Sequence, residues 1–182
     1  MNARGKLIAG AVLSVSLCLA PFCLSQSTQD KKTQQSRLAE EVRHELVMLP
    51  NYSLFDIIEF QIAGVDTVVL SGQVTRPILK SEAENVLRKL ERVGKVENKI
   101  EVLPVSPQDD RIRVAAYRTI FSKPGLDRYG QMAIPPIHII VKNGRITLVG
   151  NVENQTDKDL AGLAAQGIPG TFGVTNNLIV KK

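Results

Sequence analysis

The sequence has few of the residues that form disulfides, metal sites or catalytic centres. Its 182 residues include two cysteines, two histidines and no tryptophan, and aromatic residues make up only 4%. Both cysteines, Cys18 and Cys23, fall near the N-terminus. The rest of the chain has neither a disulfide framework nor a thiolate metal site, so its stability has to come from packing.

Motifs for catalysis are also missing from the sequence. An enzyme needs nucleophiles, acids, bases or metal ligands that converge on one site. His44 lies on the polar side of a predicted helix, and His138 alternates with isoleucines on the outer face of a predicted strand. No Gly-x-Ser-x-Gly, His-Glu-x-x-His or phosphate-loop pattern occurs. We predict two surface histidines and a non-enzymatic protein with no catalytic residue, metal, cofactor or small-molecule substrate.

The first 25 residues have the layout of a secretory signal peptide. Arg4 and Lys6 precede an uncharged stretch over 7–24, and small residues at its end favour cleavage after Ser25. We predict an exported, periplasmic protein in which 26–34 is a disordered linker. The alternative is an uncleaved segment that anchors the protein to the inner membrane, because the apolar stretch approaches the length that spans a bilayer.

An internal repeat accounts for most of the remaining chain. A shift of 78 residues superposes 67–102 on 145–180 without a gap. Eight positions are then identical, namely Leu70, Gly72, Val74, Lys80, Ala83, Val96, Asn98 and Val102 with Leu148, Gly150, Val152, Lys158, Ala161, Val174, Asn176 and Val180. We predict two similar small domains, over 35–104 and 110–182, joined by a linker over 105–109.

The apolar spacing in the first copy predicts a helix, two strands, a helix from Pro77 to Val93 and a third strand. A three-residue connection over 64–66 between the first two strands is favoured by register. It places Ile58 and Phe60 on the same face as Leu70.

In the second copy, Asp110 is the predicted N-cap of the first helix. Asn143 and Gly144 are the strongest hairpin signal in the chain, because Asn-Gly supplies the positive φ values of a tight type I′ turn. A helix over 156–166 and a last strand follow.

The repeated glycines Gly72 and Gly150 are predicted to lie on the inward face of the second strand of each copy. Glycine costs stability in a strand, but its missing side chain lets a helix or a neighbouring strand come close. We interpret both as packing devices. A lipid-contacting role for the same two glycines is the alternative.

The order helix, strand, strand, helix, strand, carried twice, resembles the BON family. The resemblance depends on "LSGQV" with "VGKVENKIEV" in the first copy and on "LVGNV" with "FGVTNNLIV" in the second. It implies an α+β fold of two tandem αββαβ domains, each with two helices on a small three-stranded mixed sheet. It also implies an exported protein of envelope or osmotic stress that attaches to phospholipid surfaces or envelope partners. The long loop over 122–136 departs from the family pattern.

The basic excess of the chain lies in its second half, where 108–182 holds 10 basic and 6 acidic residues against 11 and 12 in 26–107. We therefore predict that the second copy binds anionic lipid through basic side chains next to an apolar loop. The predicted contact residues are Arg111, Arg113, Arg118, Lys123, Leu126, Arg128, Tyr129, Lys142 and Arg145, with Met132 and Ile134 also in the loop.

The alternative function is an adaptor that binds an envelope protein or a cell-wall partner, for example through an exposed strand edge. A nucleic-acid partner is not expected. The stretch Gly167–Gly170 matches a GxxG clamp, but it holds a proline between a helix and a strand, and stacking aromatics are scarce.

Overall fold

The structure is a computed structural model that describes residues 23–132 and 135–181, with side chains described from Thr33 onward. The first copy of the repeat begins with a long helix and continues through a hairpin, a second helix and a short interrupted strand. Its elements are α1 (Cys23–Val47), β1 (Ile57–Ala63), β2 (Thr67–Val74), α2 (Pro77–Leu87), β3 (Lys95–Asn98) and β4 (Glu101–Val102).

The second copy has the same order of elements, with one short extra helix. Its elements are α3 (Pro107–Phe121), α4 (Asp127–Gly130), β5 (Ile137–Lys142), β6 (Arg145–Val152), α5 (Gln155–Gln166) and β7 (Gly173–Val180). The predicted α+β fold with two tandem αββαβ copies is confirmed.

Residues 26–34 are helical, because they lie inside α1. The expectation of a disordered linker over this segment was therefore wrong. The apolar side chains of α1 that face the first core begin at Leu38, so the sequence pattern reported only the packed part of the helix. The predicted signal peptide over 1–25 lies almost wholly outside the described residues.

Each copy forms a mixed sheet with the same pairing. In the first sheet β1 pairs antiparallel with β2, and β2 pairs parallel with β3 and β4. In the second, β5 pairs antiparallel with β6, and β6 pairs parallel with β7. The parallel registers coincide, because Leu70 lies opposite Asn98 and Leu148 lies opposite Asn176. The duplication read from the sequence is thus a duplication of topology and register.

Both hairpin registers were predicted correctly. In the first hairpin Ala63 pairs with Thr67, which leaves the three-residue connection. In the second, Lys142 pairs with Arg145 around Asn143 and Gly144, whose φ values are 51° and 72°. These positive φ values are those that a type I′ turn requires.

The two repeated glycines are packing devices, and the neighbour that they admit is the adjacent strand. Gly72 has φ +119° and Gly150 has φ +130°, values that L side chains rarely adopt. A Cβ on Gly72 would lie 2.1 Å from the Ile57 carbonyl oxygen, and one on Gly150 would lie 1.9 Å from that of Pro136. The backbone of the paired strand therefore occupies the space where the side chain would be.

Asn98 of β3 and Asn176 of β7 are polar residues that face the helices α2 and α5. The side-chain amide of Asn98 donates to the Lys80 carbonyl at 2.9 Å, and that of Asn176 donates to the Lys158 carbonyl at 2.7 Å. Each asparagine also accepts from the backbone amide two residues further on, at 3.1 Å from Ile100 in the first copy. Both asparagines thus bind the helix to the strand by satisfying buried backbone groups.

Two helix boundaries differ from the prediction. The helix that begins at Pro77 ends at Leu87 rather than Val93, and the chain continues in turns. The N-cap of α3 is Ser106, whose hydroxyl accepts from the amide of Asp109 at 3.2 Å, and Asp110 already lies inside the helix. Pro107 at the first helical position moves the start upstream of Asp110.

The two copies contact each other through the segment that precedes β1. The Ile139 amide donates to the Leu54 carbonyl at 2.8 Å, and Leu54 and Phe55 pack against the second core. Further along the junction, the Lys142 ammonium lies 2.6 Å from the Glu101 carboxylate. The edge of β5 is therefore covered by residues of the first copy.

Candidate membrane-binding surface

The structure does not bring the nine predicted lipid-binding residues onto one surface. Leu126 is fully buried and Tyr129 is 2% exposed, and both belong to the second hydrophobic core. The expectation that they form an apolar loop at the membrane interface was therefore wrong. The short helix α4 folds the loop back onto α3, so Leu126 and Tyr129 pack inward. Met132 of the same loop is 44% exposed, and Ile134 lies outside the described residues.

Arg113 is also buried, which contradicts its predicted contact with lipid. It is 5% exposed and donates to the Val141 carbonyl at 2.8 Å and to the Asp110 carboxylate at 2.5 Å. Next to it, the carboxylate of Asp109 accepts from the amides of Asn143 and Gly144 at 2.9 and 2.8 Å. The two side chains pin the start of α3 to the β5–β6 turn.

Arg128 is engaged by acidic side chains of the second copy. Its guanidinium hydrogen-bonds to the Asp157 carboxylate, lies 3.1 Å from that of Glu153 and covers the ring of Tyr129 at 4.9 Å from the centroid. The hydrogen bond with the Tyr129 hydroxyl is the main cause that raises the pKa of Arg128. A charge neutralised in this way contributes little attraction for an anionic surface.

Lys142 is engaged as well, by the ion pair with Glu101 across the junction of the copies. The hydrogen bond from Lys142 is the main cause that lowers the pKa of Glu101. This exposed ion pair links the two copies.

The remaining basic residues leave one coherent surface, which we call the α3 outer face. It consists of Asp110, Arg111, Val114, Ala115 and Arg118, and Tyr117 borders it. The Asp110 carboxylate is paired with the buried Arg113. Val114 is 46% exposed and Tyr117 is 38% exposed. Arg111 and Arg118 are exposed, and neither has an ion-pair partner among the described residues. The spacing of three, four and seven residues puts these side chains on one side of the helix.

Lys123 and Arg145 complete the set of predicted basic contacts, but they lie away from the centre of this face. Lys123 follows the C-terminal end of α3, and Arg145 begins β6 at the Asn143–Gly144 turn. Phe172, which is 76% exposed, lies over Gly144 at the same turn. Sequence analysis missed Val114, Tyr117 and Phe172. Val114 could have been found from the sequence, because it is apolar but does not fall in line with the buried residues Ile112, Ala116 and Ile120 of α3.

The two histidines differ in environment. His44 is exposed, as predicted, and lies 3.5 Å from the Glu45 carboxylate. His138 is partly buried, with its ring 5.6 Å from that of Tyr52, so its predicted surface position was wrong. Burial is the main cause that lowers the pKa of His138. Its Nδ1 atom has no hydrogen-bond partner in the described part of the chain.

Asp56 is buried, as are Asp109 and Asp157, and the sequence analysis did not single it out. It is 1% exposed and accepts from the amide and hydroxyl of Ser53 and from those of Thr75, with distances between 2.5 and 3.1 Å. It fixes the segment between α1 and β1 to the end of β2. Its hydrogen bonds are all used by the fold, so it is not a candidate acid or base.

Over 23–132 and 135–181 no three His, Cys, Asp or Glu side chains cluster in a way that could hold a metal ion. In the same ranges no helix is both long enough and apolar enough to cross a membrane.

Comparisons with known proteins identify the family. The family model described as BON domain matches residues 34–104 and 125–182. No curated protein is significantly similar to the chain in sequence.

Among solved structures, the chain resembles CdsD, a structural protein of the type III secretion system of Chlamydia trachomatis, at 13% identity and a TM-score of 0.32, covering 80% of this chain and 92% of that one. A structure of the CdsD C-terminal domain matches at 14% identity and a TM-score of 0.30, covering 80% of this chain and 98% of that one. Scores this low support no conclusion about function. The match to the family model, together with the duplicated topology, shows that this chain belongs to the BON domain family and carries two BON domains.

Proposed function

We propose that this protein is an exported binding module that attaches to anionic phospholipid surfaces of the cell envelope through the α3 outer face. A non-catalytic role associated with membranes or the envelope fits the BON domain family. Lipid binding through the α3 outer face is supported by the guanidinium groups of Arg111 and Arg118. They lie on either side of the exposed Val114, and neither has an ion-pair partner among the described residues. A role in envelope or osmotic stress belongs to the same proposal.

The free energy of membrane binding would come from the attraction of basic side chains to anionic lipid and from apolar contact. A basic residue near an anionic membrane contributes about 1 kcal/mol, and an apolar side chain on the same helix face adds to this when it enters the interface. Arg111 and Arg118 would together supply about 2 kcal/mol, a factor of roughly 30 in the partition constant. Binding of this strength is reversible and is weakened by salt.

Vesicle flotation tests the proposal. The protein is mixed with vesicles of neutral phospholipid, or of the same lipid with an anionic component, at low and high salt. The fraction of protein that floats with anionic vesicles should fall at high salt. The fraction that floats with neutral vesicles should be low. The double variant Arg111→Glu with Arg118→Glu should lose the recovery with anionic vesicles.

The matched control is the double variant Arg37→Glu with Lys89→Glu. Both residues are exposed on the first copy and have no ion-pair partner among the described residues, so the control makes the same change in net charge at a different place. Equal losses in the two double variants would show that net charge, and not the α3 outer face, governs binding. Equal recovery of the wild type with neutral and anionic vesicles would contradict the electrostatic part of the proposal.

Export is tested by sequencing the N-terminus of the mature protein from cells. A sequence that begins at Gln26 would support signal cleavage after Ser25. An intact N-terminus in the membrane fraction would favour an anchored protein.

A further inference from the structure

The two copies differ in how they treat equivalent strand edges. β1 and β5 are the first strands of their sheets, and each pairs with one neighbouring strand in the described sheet. An unpaired strand edge presents backbone donors and acceptors to any extended segment. On β5 that edge is covered, because Leu54 accepts a hydrogen bond from the Ile139 amide at 2.8 Å.

The repeat identifies the group on β1 that corresponds to the covered amide. Ile139 lies opposite Leu148, and Phe60 lies opposite Leu70, which is the matching leucine of the first copy. Since alternate residues of a strand direct their backbone groups to opposite sides, the amide of Phe60 points away from β2 as that of Ile139 points away from β6. Among the described residues no segment covers the Phe60 amide as Leu54 covers that of Ile139.

A groove accompanies the uncovered edge. It has a volume of about 480 Å³ and lies between α1 and β1, where it is lined mainly by apolar and aromatic side chains, including Leu46, Tyr52, Ile58 and Phe60. Burial raises the pKa of Tyr52 to about 12. Arg43 stacks over the Phe60 ring at 5.9 Å, and Glu59 supplies one opposite charge in the lining.

We propose that the β1 edge and its groove bind an extended segment of a partner protein by strand addition. The segment pairs with the backbone of Phe60 and places an apolar side chain in the groove between α1 and β1. The cover of β5 is a precedent for an occupant with apolar side chains, because there the turn over Ser53–Asp56 gives one backbone hydrogen bond to the outward amide and packs Leu54 and Phe55 against the core. The single Arg and single Glu of the lining balance, so the site selects an apolar, uncharged segment.

A second copy of this chain is a poorer occupant than an unrelated partner. The segment that would dock in trans, Ser53 to Phe55, already covers β5 in its own chain. Its release would also break the two hydrogen bonds that Ser53 donates to Asp56. The partner is therefore a different polypeptide with an accessible extended stretch.

The probe for this site is a phage-displayed library of random twelve-residue peptides, selected on the full chain. We expect selection to enrich peptides with alternating apolar residues. The strongest is synthesised with a fluorophore, and its binding is measured by anisotropy. In Phe60→Pro the outward amide is removed without loss of a ladder bond, because proline is tolerated where its nitrogen faces away from the paired strand. Affinity for the peptide should fall roughly tenfold or more, from the lost hydrogen bond and side chain together.

The matched control is Phe60→Leu, which keeps the amide and an apolar side chain. It should retain affinity within about threefold of the wild type, since a swap of this kind changes the packing but no backbone hydrogen bond. Equal binding by Phe60→Pro and the wild type would overturn the proposal, as would a selection that enriches no peptide.

A second measurement decides the question if Phe60→Pro does not fold. Hydrogen exchange of the wild-type chain is followed with and without the selected peptide. The amides of Phe60 and Ile62 should exchange more slowly in the complex. Protection confined to other elements, such as α3, would overturn strand addition at β1.

Discussion

The substitution Gly72→Ala tests the reason for the repeated Leu-x-Gly-x-Val pattern. Its new Cβ would lie 2.1 Å from the Ile57 carbonyl oxygen, and the residue would have to hold φ +119°. A backbone conformation this rare for an L residue costs about 1–3 kcal/mol. Displacement of the Ile57 carbonyl weakens its hydrogen bond to β2, which adds about 1 kcal/mol. We expect the free energy of unfolding of the first copy to fall by about 2–4 kcal/mol.

Urea denaturation followed by circular dichroism measures this loss, with Gly64→Ala as the matched control. Gly64 also has a positive φ, +74°, but a Cβ there meets nothing within 4 Å. Its alanine variant should lose only about 1 kcal/mol, the cost of the left-handed backbone alone. If Gly72→Ala were no more destabilising than Gly64→Ala, the close approach of β1 would not be the reason for the glycine. Gly150→Ala in the second copy should resemble Gly72→Ala.

Two further predictions concern buried polar groups. Tyr129→Phe removes a hydroxyl that donates to Asp157 at 2.6 Å and accepts from the Glu153 amide at 2.9 Å. Urea denaturation should therefore show that the free energy of unfolding falls by about 2–4 kcal/mol. A fall below about 0.5 kcal/mol, the size of an ordinary surface substitution, would contradict this role. Burial lowers the pKa of His138 from 6.5, so the unfolded chain binds its proton first as the pH falls. The stability that depends on neutral His138 is therefore complete above pH 6.5 and is lost on acidification. The melting temperature of the wild type should fall more than that of His138→Phe between pH 7.5 and pH 5.5, on the order of a few degrees; parallel curves would refute the assignment.

The two copies satisfy one equivalent backbone group with different side chains. The amide of Thr75 donates to the Asp56 carboxylate at 2.6 Å, whereas that of Glu153, its counterpart in the repeat, donates to the Tyr129 hydroxyl at 2.9 Å. The buried amide has to be bonded in both copies, but the chain supplies the acceptor from different segments. The different acceptors accompany different paths of the chain before β1 and β5.

Strand register was the part of the fold that sequence reasoning predicted best. Alternation of apolar residues and the Asn143–Gly144 pair are local signals, and each allows one pairing that buries a single face. The repeat added a second, independent constraint, because the same inward positions recur at Leu70 and Leu148. These signals do not depend on where distant parts of the chain pack.

The candidate site was predicted less well, because exposure depends on tertiary contacts. Leu126 and Tyr129 were assigned to a loop surface, but α4 folds them into the core. Arg113 has the same charge as Arg111 in the sequence, and only the packing of α3 on β5 shows that one is buried and the other exposed. His138 lies on the outer face of its strand as expected, yet the first copy covers part of that face.

The central functional claim is that the α3 outer face enters the membrane interface. Single cysteines at Val114 and, as a control, at Leu163 of α5 are labelled with an environment-sensitive fluorophore after Cys18 and Cys23 are replaced by serine. Leu163 is 65% exposed, so both labels begin in water. With anionic vesicles the Val114 label should shift to the blue and the Leu163 label should not. An unchanged Val114 label on vesicles that bind the protein would contradict the claim.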